Sequence, residues 1–419
     1  MPNGDNWQSD VLRDLRGATG QPGPQQPQPQ GTSAAGTAHP QGTPAHPQGT
    51  PTHPQVTPAQ PQAPAQPPQA AAQPQTPTHQ PPTGHQPGPA QPQQAPARSK
   101  QPPAAPGPRP QVRTPDSRPV LDKQLAAAGL KPRHGEPFTA RALRAVRRTV
   151  SSSAAQEVAE AGATAEVLQQ AVTTGRQIAV TSIRGGAGKT TVAALLGTTY
   201  AHYRHDPTLI VEADPALGSL PLRLGAETLR WTTADVAGIV QPQMSLLDVT
   251  GYLVQLPDNA WLLPGSQGQI GAMLDTRAYE KVMVSLRRYF GVSVVDCETL
   301  PAEVARVALS AAQARVLTAP ATLEGISSTY AVLEWMRGLP RHIIDTTVVA
   351  LTETVPHTGL DAGKAAGTLK ATGARVRVLP YDRHLASGGT IRTELLAHTT
   401  RQAATRLAAE VFQLSQKRR

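Results

Sequence analysis

A chain of 419 residues with 39 Lys and Arg against 29 Asp and Glu carries a formal charge of +10. Such an excess suits a nucleic acid or anionic lipid partner, although an arginine-rich composition from a GC-rich genome produces it with no partner at all. The single cysteine, Cys297, excludes a disulfide framework and points to a reducing compartment. No apolar run approaches the ~18–20 residues of a membrane-spanning helix.

In chain order, residues 1–17 (MPNGDNWQSDVLRDLRG) come first, with acidic residues and no apolar core, which is not the pattern of a signal peptide. Trp7, Val11, Leu12 and Leu15 fall near one face of a short helix. Such a peptide docks on a partner, folds back on its own domain, or has no role. Residues 18–118 form a Pro/Gln-rich, low-complexity linker, and about two thirds of the 43 prolines lie before residue 119. With almost no large apolar side chains it cannot offset its chain entropy, so disorder with polyproline II character is expected. The run AHPQGTP-AHPQGTP-THPQVTP (38–58) repeats His39, His46 and His53. Without acidic or Cys partners these read as repeat expansion more readily than as metal ligands. A Pro-rich arm of this kind also suits a protein partner with an aromatic groove.

Residues 119–176 are helical in pattern. In FTARALRAVRRTV (138–150), Arg141, Arg144 and Arg148 recur at helical spacing, and they either contact phosphates or a membrane surface or form a solvated face. From Gln177 to residue 419, short Val/Leu/Ile runs alternate with amphipathic segments. Strands are predicted at 177–183, 208–213, 260–265, 292–297, 314–319, 346–352 and 374–380. Helices are predicted at 190–204, 275–290, 301–312, 322–337, 359–372 and 391–416. This alternation predicts an α/β fold, a doubly wound and mostly parallel sheet, with ligands at the carboxyl ends of the strands.

The first predicted strand runs into IRGGAGKTT (183–191), and a helix follows at once. Gly185, Gly186 and Gly188 let backbone N–H groups approach phosphate oxygens, and the helix N-terminus adds its dipole. Ala187 and Thr191 complete the loop. Lys189 reaches the β- and γ-phosphates, and the Thr190 hydroxyl is a Mg²⁺ ligand. EADPALGSL (212–220) ends the next strand, where Asp214 is placed to hold the attacking water. VSVVDCETLP (292–301) ends in Asp296, placed to hold Mg²⁺ from the outer shell.

Arg184-Gly-Gly-Ala-Gly-Lys-Thr-Thr191, Glu212-Ala-Asp-Pro215 and Val294-Val-Asp296 together resemble the MinD/ParA group of P-loop ATPases with a deviant Walker A loop. LPYDRHLASGGTI (379–391) is similar to the late nucleotide-side loop of that group. The resemblance covers residues 177–415. Joined to the Pro/Gln-rich front half, the architecture resembles actinobacterial MinD-like proteins associated with type VII (ESX) secretion. The resemblance implies ATP and Mg²⁺ as cofactors, catalytic roles for Lys189 and Asp214, and metal contacts at Thr190, Asp296 and Asp214. It also implies nucleotide contacts at Pro380 and Asp382.

In this group a basic residue before the double glycine, usually lysine, reaches the partner's phosphates in a nucleotide-sandwich dimer. Arg184 holds that place and keeps the charge as a longer, planar fork. Glu212 stands where the group has aspartate. Cys297-Glu298-Thr299-Leu300 precedes Pro301 where a small residue and then proline or glycine is usual. No asparagine occupies the base-recognition position near Thr352-Glu353-Thr354. The expected protein is cytoplasmic, an ATP-dependent homodimer with slow turnover that positions or regulates a larger machine. Alternatives are a ParA-type partition ATPase on nonspecific DNA, a MinD-like positioner recruited to the membrane, and a degenerate nucleotide-binding scaffold. A lone cysteine argues against a nitrogenase iron protein, which needs two cluster cysteines per subunit.

Overall fold

The computed structural model describes residues 114–122, 124–125, 154–216, 218–356 and 359–417. The N-terminal amphipathic peptide, the histidine repeat and the basic segment 138–150 lie outside the described residues. All described residues belong to one compact unit.

The strands are β1 (Arg118–Pro119), β2 (Arg176–Ser182), β3 (Thr208–Ala213), β4 (Thr228–Leu229), β5 (Val254–Leu256), β6 (Ala260–Leu263), β7 (Val292–Cys297), β8 (Ala314–Pro320), β9 (Thr347–Thr352) and β10 (Arg375–Leu379). Eight form one sheet in the order β10-β9-β8-β2-β7-β3-β6-β5, while β1 and β4 pair separately. Within the large sheet every pairing is parallel except that of the edge strand β5 with β6. The seven predicted strands all form in this sheet.

The helices are α1 (Ala154–Gln169), α2 (Lys189–Tyr203), α3 (Leu220–Leu224), α4 (Thr233–Ile239), α5 (Leu246–Thr250), α6 (Thr276–Leu286), α7 (Glu303–Ala311), α8 (Leu323–Met336), α9 (Arg341–Asp345), α10 (Ala362–Lys370), α11 (Arg383–Ala386) and α12 (His398–Gln416). Strand alternation sends neighbouring residues to opposite faces of the sheet. Ile178, Val180, Ile210, Val292 and Val294 join α2 and α12 on one face. Ala179, Leu209, Val211, Val295 and Cys297 join α4, α6 and α7 on the other. A third cluster packs α8, α9 and α10 on β8, β9 and β10. The sheet is therefore covered on both sides, as its continuous apolar strands require.

The final helix starts at His398 and not at 391, because Thr393–Leu395 makes a 3-10 turn first. The described part of the fold also begins before Gln177. Helix α1 packs on α2 and α12, and the Thr114–Asp122 segment is tied down through β1. No helix among the described residues is long and apolar enough to cross a membrane.

Candidate functional site

β2 lies mid-sheet between β7 and β8, and its carboxyl end opens into the loop Ile183–Gly188. Gly186 and Gly188 adopt φ values of 74° and 83°, the left-handed region that glycine enters without strain. Gly188 caps α2 with no side-chain acceptor for the first N–H groups. Those donors, the dipole of a helix of 15 residues and the Lys189 ammonium converge on one place. Arg184, Gly185 and Gly186 are exposed, Ala187 is buried, and Lys189, Thr190 and Thr191 are half-buried.

The carboxylates arrive from the two strands on the other side of β2. Register pairs Val180 with Asp296, and Asp296 in turn with Glu212. Alternation points Asp296 to the same face as Val292 and Val294, the face that carries α2. It is completely buried, and neither carboxylate oxygen has a hydrogen-bond partner. Burial pushes its pKa up to about 7, while Thr190 and Lys189 nearby favour the charged form. An orphaned buried carboxylate beside a threonine hydroxyl fits a divalent cation, which would take up the unsatisfied oxygens.

Asp214 is half-buried just beyond β3. Burial raises its pKa, and Lys189 opposes that rise. Glu212 is buried two residues earlier. Burial lifts it to about 8, against the Gly265 N–H that donates to Oε2 at 3.1 Å. Glu298 makes a fourth carboxyl in the group, raised by burial and by the Asp214 charge and opposed by Lys189.

The structure also supplies contacts that the motifs did not announce. Lys189 Nζ donates to Thr299 Oγ1 at 3.0 Å. Thr181 Oγ1 donates to the Glu298 carbonyl at 2.8 Å, and the Leu300 N–H donates to the Ser182 carbonyl at 2.9 Å. Residues 298–300 are thus stitched to the phosphate loop and its strand. Across the loop, Thr352 Oγ1 donates to the Ala187 carbonyl at 3.1 Å. Nothing in the sequence around Thr299 or Thr352 announces these contacts, which the topology makes. Arg184 Nε donates to Ser328 Oγ on α8 at 2.8 Å, so the arginine lies against its own chain.

Pro380 and Asp382 follow β10. The buried Asp382 carboxylate is committed to backbone: Oδ1 accepts from His384 and Leu385, and Oδ2 accepts from Ala397 at 2.9 Å. It shapes the loop as the cap of α11. Pro380 is half-buried, and the next N–H, of Tyr381, donates to Glu353 Oε2 at 3.1 Å. Cys297 is buried against the opposite face, and burial holds its thiol well above the usual range. Among the described residues no group of three or more His, Cys, Asp and Glu is arranged to hold a metal by itself.

No known family profile matches the chain. It is 28% identical over 243 residues to the ESX-1 secretion-associated protein EspI of Mycobacterium tuberculosis H37Rv, covering 56% of this chain and 36% of EspI. It is 32% identical over 124 residues to the septum site-determining protein MinD of Thermotoga maritima, covering 29% of this chain and 44% of that protein. The chain thus spans well under half the length of these curated relatives. Among solved structures, a ParA family ATPase from Chlorobium tepidum aligns with 56% of this chain and 98% of its own at 14% identity and a TM-score of 0.47. In its phosphate loop, its strand-end carboxylates and its mostly parallel sheet, the chain is similar to MinD/ParA-like P-loop proteins.

Proposed function

We propose that the protein binds ATP with Mg²⁺, hydrolyses it slowly, and uses the ATP-bound state to pair two copies that position or regulate a larger machine. The observation that carries this reading is the convergence of Lys189, the uncapped N-terminus of α2 and the orphaned Asp296 carboxylate on one strand-end crevice. The likeness to EspI favours a type VII secretion machine as the one served.

The loop Gly185–Thr191 holds the phosphates through backbone N–H groups, and Lys189 neutralises the outer ones. Nucleotide draws Lys189 away from Thr299, which frees residues 298–300 to respond. Thr190 and Asp296 would hold Mg²⁺, with Asp214 a further carboxylate beside Lys189. When bound, the ion screens phosphate charge. Asp214 orients the attacking water, and the Lys189 charge favours its ionised form against the burial that raises its pKa. Arg184 leaves Ser328 to reach the partner copy's phosphates.

The test is turnover and mass measured together. ATP, and not ADP, is expected to double the mass in light scattering, and Asp214→Ala is expected to keep that dimer while lowering turnover by ~100-fold or more. Turnover indifferent to Asp214→Ala would instead favour a scaffold that only holds nucleotide. A mass that ATP does not alter would remove the dimer.

A further inference from the structure

The Pro-rich sequence joins the fold at a defined place. Residues 114–122 are the described stretch where that sequence ends. β1 pairs antiparallel with β4, Arg118 opposite Leu229 and Pro119 opposite Thr228. The Val120 N–H donates to the Glu227 carbonyl at 2.9 Å, and the Val120 side chain packs on the core. A ladder of two residues per strand is weak by itself. The half-buried Gln267 adds to it, because its side-chain amide donates to both the Asp116 carbonyl (3.0 Å) and the Arg230 carbonyl (2.7 Å).

Gln267 lies in the loop that leaves β6, and that loop is bonded on its other side to the carboxylate segment. The Gly265 N–H donates to Glu212 Oε2 at 3.1 Å. Ser266 Oγ donates to the Pro215 carbonyl at 2.8 Å and accepts from the Gly268 N–H at 3.1 Å. Glu212 and Pro215 bracket Asp214. Residues 265–267 therefore bond to the Asp214 segment at one end and to the base of the arm at the other.

We propose that the nucleotide state at Asp214 is passed to the base of the Pro-rich arm through Ser266 and Gln267, so that the arm's attachment loosens or tightens with ATP. This rests on the nucleotide-binding reading above. Movement of the 214–215 backbone pulls on Ser266, and the Gln267 amide then gains or loses its grip on Asp116. Coupling of this kind is reciprocal: a partner that captures the arm shifts nucleotide affinity by the same factor.

Hydrogen exchange of the full chain, measured with ADP and with a non-hydrolysable ATP analogue, tests the proposal. In the wild type, amides in 114–122 should change exchange between the two states by about fivefold, the factor one ordinary hydrogen bond is worth. In Gln267→Ala that difference should fall below ~twofold, while 184–191 and 212–219 respond as before. A wild type in which 212–219 responds and 114–122 does not would overturn the coupling, and so would a response that survives Gln267→Ala. If 184–191 gains no protection with either nucleotide, the nucleotide reading itself fails and takes the coupling with it.

Discussion

Glu212 is a carboxyl held far from the ordinary chemistry of its type. It takes the place of an aspartate in the MinD/ParA pattern, and the extra methylene carries its carboxyl into the interior. There Gly265 N–H holds one oxygen while the other has no partner. Burial disfavours the charged form, and the Asp296 and Asp214 charges add to it, which is why its pKa climbs from 4.5 to about 8. The consequence for stability has a definite sign. Between those two values the folded chain retains a proton that the unfolded chain has released, so stability is greatest below the lower one and is lost as pH rises through the upper one. Asp296, lifted to about 7, acts in the same direction. The nucleotide-free protein should therefore lose stability from about pH 5 to about pH 8.5, by at most ~1.4 kcal/mol per pH unit for each group. Glu212→Gln, which stays neutral, should flatten the upper part of that slope. Urea midpoints across the range check it, and an unchanged slope in the Gln variant would assign the titration elsewhere.

At the scale of elements, α1 shows how a segment outside the recognised motif is made part of the fold. Arg204, just past the end of α2, is buried with its guanidinium 4.5 Å above the Phe412 ring of α12. Nη1 donates to the Leu168 carbonyl at the end of α1 and to Gln170 just beyond it, while Nε and Nη2 bind Asp206 at 2.8 and 2.9 Å. One side chain thus satisfies a carbonyl in the last turn of α1 and another just beyond it, and joins three helices. Arg204→Ala leaves those groups unpaired and should cost about 3 kcal/mol or more, with amide exchange rising first in 154–169. Equal loosening of the whole sheet would show that the arginine does not act through α1. The sequence could not display this link, because Arg204 and Phe412 are remote in the chain and nothing in either neighbourhood points to the other. The strands were legible for the opposite reason: buried on both faces, they are continuous Val/Leu/Ile runs. The phosphate loop was legible because its chemistry is local and contiguous. As candidates, Lys189 and Thr190 could be marked from the loop motif, and Asp214 and Asp296 from their strand ends. Thr299, Thr352, Ser328 and Gln267 could not, since each acts through one contact made by the topology. β5 was missed as well, being three residues long and paired antiparallel at the edge.

At the scale of the whole molecule, the question left by the loop is where Arg184 spends its charge. In the single chain its Nε donates to Ser328, whose own hydroxyl donates to the Glu324 carbonyl at 2.6 Å along α8. On the proposed dimer the same guanidinium serves the partner's phosphates, so the contact with Ser328 competes with association. A charge-assisted hydrogen bond exposed to solvent is screened to about 1 kcal/mol net, which sets the size of the competition. Ser328→Ala should tighten the ATP-dependent dimer by about fivefold and leave the affinity of the monomer for nucleotide unchanged. Arg184→Ala should abolish pairing while nucleotide still binds, because the phosphates keep the backbone cradle and Lys189. Sedimentation with ATP, alongside nucleotide titration of dilute protein, separates the two quantities. Pairing unaffected by Ser328→Ala would mean that the arginine leaves α8 at no cost. Loss of nucleotide binding and pairing together in Arg184→Ala would place its charge in the chain's own site and not in its partner's.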